Sequence, residues 1–126
     1  MVSYIKKREK RFYLIMTLLV AAVIFFSSTI QTTAGEKTGL NLATLYHFSV
    51  FFMLIFFLSL TLINKRLDRK TIFIILLISL IYALSDELHQ LFVPGRFCSL
   101  KDVLIDFIGS LCALLTIKAI EIIKRI

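Results

Sequence analysis

Residues 70–96 read KTIFIILLISLIYALSDELHQLFVPGR, and this stretch decides the fold. It opens on a basic residue, stays almost wholly apolar from Ile72 to Leu84, turns polar at Ser85 and ends in a Pro-Gly turn. The apolar part alone is too short for a helix that must cross about 30 Å of hydrocarbon at about 1.5 Å per residue. A helix long enough to cross therefore carries its polar end into the membrane. From Lys70 to Asp86 is sixteen residues, about 24 Å of helix, so Asp86 and Glu87 are expected inside the bilayer and not in open water.

The rest of the chain repeats the pattern. Of its 126 residues 59% are hydrophobic, and the apolar residues come in long blocks with charges gathered between them. A soluble domain is closer to half apolar and interleaves polar positions throughout. The blocks predict helices over 12–30, 42–63, 71–93 and 99–124, an all-α polytopic membrane bundle forming a single domain over residues 1–126. Ser99-x-x-Asp102 reads as the start signal of the fourth helix. A cleavable signal peptide is the competing reading of the first block, with Thr32–Thr33–Ala34 as a faint cleavage site. The block exceeds the roughly 7–15 residues of a signal core, so a retained helix is expected.

The formal net charge of +7 follows the same logic. Five basic residues precede the first block, four lie in the 64–70 loop and three follow Ile117, leaving only Lys37, Arg96 and Lys101 at the opposite helix ends. Lys and Arg accumulate on the cytoplasmic side of short loops, so a cell-membrane protein with both termini cytoplasmic is expected. That distribution also argues against nucleic acid as a partner. The lipid bilayer is the one partner the sequence requires, and the oligomeric state is not fixed by it. Cys98 in a loop and Cys112 within a helix are expected to be free thiols.

Depth counting from the other helices converges on one layer. Asn64 to His47 spans about 26 Å, and Lys118 back to Asp106 about 18 Å. Asp86 and Gln90 share a helix face with Tyr82. Asp102 and Asp106 share another, which continues through Gly109 and Ala113 and is expected to face the third helix. His47, Asp86, Glu87, Gln90, Arg96, Asp102 and Asp106 are thus the candidate polar site, a layer capped by the Arg96 turn and open to the outer face. Intramembrane charges face a bundle interior or a wet cavity and are functional by default. The competing reading is a network that only pins helices together, with Arg96 neutralising two carboxylates. Otherwise Arg96 presents a fork to a phosphate or carboxylate. His89, nearer the helix end, is expected to be solvated. The phenylalanines at 48, 51, 52, 56 and 57 are expected on lipid-facing or packing surface. No catalytic motif is present: DELHQ lacks the H-E-x-x-H spacing, and no GxSxG or phosphate loop occurs. No cofactor is expected and no metal ligand is assigned, since a metal site would have to be assembled across helices.

The stretch 85–110, SDELHQLFVPGRFCSLKDVLIDFIGS, resembles the VanZ-like family of small bacterial membrane proteins. The matching features are the acidic residue followed by Gln90, then Phe92, Pro94, Arg96, Asp102 and Gly109. The histidine in YHFSVFF, residues 46–52, looks like the family's second motif. The chain departs from the family pattern at Thr44, where lysine is frequent, at Val50, where an acid is frequent, and at Asp106, where asparagine is common. The founding member of the family is associated with low-level resistance to the glycopeptide teicoplanin, and no biochemical activity is firmly tied to the family. The expectation is a non-catalytic protein binding an envelope component, lipid headgroup or cationic amphiphile. A membrane enzyme acting on a lipid or cell-wall precursor, or an oligomeric ion-coupled carrier, are the alternatives.

Overall fold

A computed structural model describes residues 7–30 and 42–124 of the chain. The 31–41 loop, with Lys37 and the signal-cleavage stretch, lies outside the described residues. Four helices follow in order: α1 Lys7–Ser28, α2 Leu42–Leu62, α3 Arg69–Gln90 and α4 Leu100–Ile123. All four are long and apolar enough to cross a membrane. Among the described residues there is no strand.

The boundaries have local causes. The expected first helix begins at residue 12, but α1 starts at Lys7, because Lys and Arg are good helix formers whose stems lie along apolar surface. Asp68 caps α3, its carboxylate accepting the Thr71 N–H at 2.8 Å. The bonds to Thr71 hold that exposed carboxyl below the usual carboxylate range. The cap is therefore at full strength above the ordinary pKa and fades as pH falls through the lowered one. The other end of α3 stops at Gln90 and not at Val93. Pro94 disfavours helical backbone at the residue before it. The amides of Phe92 and Val93 instead close tight turns on the carbonyls three residues back. Gly95 then takes a φ of 80°, a conformation open to glycine at no steric cost. At α4 the Ser99 hydroxyl accepts the Asp102 N–H at 3.3 Å, as the start signal predicts.

The helices run antiparallel in sequence, so the 64–70 loop and the far ends of α1 and α4 share one end. There Lys10 Nζ donates to Asn64 Oδ1 at 2.8 Å. Glu121 and Lys118 together grip the backbone of one loop residue, Leu67, on both sides. Glu121 Oε1 accepts the Leu67 N–H at 2.5 Å, and Lys118 Nζ donates to the Leu67 carbonyl at 3.0 Å. α2 and α3 share the short diagonal of the bundle, while α1 and α4 stand at opposite corners with no close backbone approach.

α4 packs most extensively on α2, not on α3 as the stripe through Gly109 suggests. A Cβ added at Gly109 would stand 2.5 Å from the Phe48 carbonyl oxygen. The helices thus touch backbone to backbone, the close approach that small residues permit in membranes. Phe51, Ile55 and Ile75 fill the centre, and hydroxyls cross between helices, as where Ser79 and Ser110 meet at 2.6 Å. The outward faces are apolar, with Leu18, Phe26, Phe73 and Leu115 all over 60% exposed. Phe48, Phe52 and Phe56 stack along one side of α2, and Phe51 is wholly buried.

Gly109→Ala should lower thermal stability in detergent by about 1–3 kcal/mol, because backbone cannot retreat from the added methyl. Glu121→Ala should cost about 1–3 kcal/mol by stranding the buried Leu67 N–H. Glu121→Gln keeps an acceptor and should melt near the wild type.

Candidate functional site

Asp86 and Glu87 are consecutive on α3 and so point about 100° apart. They meet different neighbours. Asp86 turns to α1, where Ser28 donates a short hydrogen bond to its Oδ1, and Gln90 Nε2 donates to its Oδ2 at 3.1 Å. Tyr82, one turn earlier, donates its hydroxyl to the Ala21 carbonyl at 2.7 Å. The polar face of α3 therefore lies along α1. Glu87 turns to the start of α4, where its Oε2 accepts the Ser99 N–H at 2.6 Å. It satisfies one of the amides that a helix start leaves without an internal partner.

Asp106 faces α2. Its Oδ1 lies 3.0 Å from His47 Nδ1, both side chains being buried. Its neighbour Ser110 carries the contact from α4 to α3 at Ser79. Three helices thereby deliver His47, Glu87 and Asp106 to one point, where one ligand atom from each lies within 4.8 Å of the others. Two carboxylate oxygens in this interior, Glu87 Oε1 and Asp106 Oδ2, are buried without a hydrogen-bond partner.

Arg96 sits outside this centre. It makes no ion pair with Asp86, Glu87, Asp102 or Asp106, so the neutralising role is not realised. Nη2 instead points at the Ser27 carbonyl across 3.4 Å, near the end of α1, while Nε is buried and unpartnered. Asp102 is half-buried at the start of α4. Five of the seven sequence candidates, His47, Asp86, Glu87, Gln90 and Asp106, are buried inside, with Arg96 and Asp102 at the rim.

His89 departs from its expected solvation. Its ring lies against Phe25 with centroids 4.8 Å apart, and Nε2 is buried. Ser28 was missed by sequence reasoning, though the Ser27–Ser28–Thr29 run interrupting an apolar block marked its level. Beside the buried centre, Thr44, Leu45, Phe48, Ile105 and Ile108 line an open, wholly apolar recess of about 170 Å³ between α2 and α4. Cys98 and Cys112 are free.

Apolar antiparallel helices closed around an acid–histidine interior define a small multi-pass membrane protein. The chain matches the VanZ/LLP1 family model over residues 12–123, and it belongs to that family. No curated protein and no solved structure matches it.

Ser28→Ala removes a donor to a buried carboxylate and should lower the melting temperature, by about 1–3 kcal/mol of stability. Ser28→Thr keeps the hydroxyl and should restore most of the loss.

Proposed function

We propose that this protein binds an amine-bearing amphiphile, either a lipid headgroup or a cationic envelope-active compound, and performs no chemistry on it. The observation that carries the reading is the apolar recess lying directly beside the acidic interior. Thr44, Leu45 and Phe48 flank His47 on α2, and Ile105 and Ile108 flank Asp106 on α4. Asp102 lies one turn nearer the helix start than Ile105. A chain laid in the recess brings its head towards Asp102 at the start of α4. The carboxylate receives the amine. The distribution of basic residues supports cytoplasmic termini, which turns this end to the outer leaflet of the cell membrane. Family membership supports a link to glycopeptide tolerance, since the VanZ-like resemblance carries an association with teicoplanin.

The test is lipid retention by purified protein in native mass spectrometry, comparing phosphatidylethanolamine with phosphatidylglycerol. Phosphatidylethanolamine should be retained in preference; Asp102→Asn should weaken it about tenfold, the scale of one charge-assisted contact, and Ile108→Trp should weaken retention by filling the recess. Equal retention of both lipids would remove the amine from the reading. In cells, Asp102→Asn should lower tolerance to teicoplanin at an unchanged membrane level of protein.

A further inference from the structure

We infer that His47, Glu87 and Asp106 form a binding site for one divalent transition-metal ion. The three donors come from α2, α3 and α4, and their ligand atoms already lie within 4.8 Å of one another. Around an ion held at about 2.0–2.2 Å, adjacent nitrogen and oxygen ligands stand roughly 3 Å apart. The His47 Nδ1 to Asp106 Oδ1 distance of 3.0 Å already has that value. With an ion in place this contact becomes one edge of the coordination shell, and Glu87 closes on it by a side-chain adjustment.

The unpartnered oxygens supply the independent indication. Glu87 and Asp106 are 1% and 0% exposed, yet Glu87 Oε1 and Asp106 Oδ2 have no donor. Buried polar atoms nearly always have a partner, and an ion is one of the few that serves two carboxylates at once. Lysine and arginine do not fill the role. The two ion pairs among the described residues are His47 with Asp106 and Lys118 with Glu121. Two carboxylates and a neutral imidazole carry two negative charges, matching a divalent cation without remainder. The donor set of one imidazole and two carboxylates suits zinc, cobalt, manganese or iron and disfavours calcium and magnesium, which prefer oxygen alone. Glu87 is pre-aimed, because its other oxygen is fixed on the Ser99 N–H at 2.6 Å. Three protein donors leave at least one coordination position open, as in sites that take a further ligand.

This site is separate from the amphiphile rim and does not depend on it. The centre has no accessible carboxylate for a bulky headgroup, while a bare ion needs none. Metal-stripped protein in lipid nanodiscs should be titrated with Co²⁺ and read by visible absorption. One Co²⁺ per chain should bind with d–d bands, and Zn²⁺ should displace it. Glu87→Gln and Asp106→Asn should each weaken binding by at least about tenfold, the loss typical of damage to a metal shell. Asp86→Asn and Asp102→Asn should retain it. The folding of each variant is checked by its metal-free melt. Should the carboxylate variants fail to fold, the wild type decides alone: Zn²⁺ should raise its melting temperature and EDTA should return it. Absence of saturable Co²⁺ uptake by folded wild type overturns the site, as does unchanged affinity in folded Glu87→Gln and Asp106→Asn. Loss of phosphatidylethanolamine preference with intact Co²⁺ binding would overturn only the amphiphile reading.

Discussion

A carboxylate held inside a bundle surrounded by hydrocarbon must find its partners on other helices, because water is not there to solvate it. That constraint orders this protein. Asp86 reaches α1, Asp106 reaches α2 and Glu87 reaches the first turn of α4. Each contact fixes a rotation as well as a distance, since turning α3 by one residue would carry the polar side chains of its face into lipid. The hydrophobic effect contributes little to helix association where the surroundings are as apolar as the helices. The register of this bundle is therefore set by a handful of polar pairs and by close backbone contact.

The close contact of Gly109 with the Phe48 carbonyl belongs to the same arrangement. It lies one turn from Asp106, which brings α4 near enough for the carboxylate to meet His47. The small side chain and the acid work as a pair, one setting the spacing and the other using it. The opposite end is held differently. Glu121 and Lys118 take the N–H and the C=O of Leu67, so loop backbone with no sheet or helix partner is satisfied.

Much of this was legible from helix length alone. A rise of about 1.5 Å per residue places His47, Asp86 and Asp106 in one layer whatever their neighbours are. Boundaries were legible where turn chemistry is local, as at Ser99 and Pro94. Rotation was not legible. Both faces of α3 are compatible with a polar stripe, and only packing decides that Tyr82, Asp86 and Gln90 lie along α1. Arg96 is the one guanidinium at that end, and its residue type alone suits either a counter-ion to the acids or a fork for a ligand; its position in the turn carries it to the carbonyl of Ser27. Glu121 was invisible because its partner is a backbone amide more than fifty residues away, which no side-chain pattern announces.

The order of these pairs along the chain has its own consequence. A membrane protein is made from its N-terminus, and its early segments are in place before later ones emerge. Ser28 precedes Asp86, His47 precedes Asp106, and Leu67 precedes both Lys118 and Glu121. Each of these later charges is therefore synthesised after the group that answers it. Glu87 is the exception, for the Ser99 amide that answers it is synthesised afterwards. The order of synthesis thus leaves Glu87 alone without its backbone donor until Ser99 and the start of α4 follow.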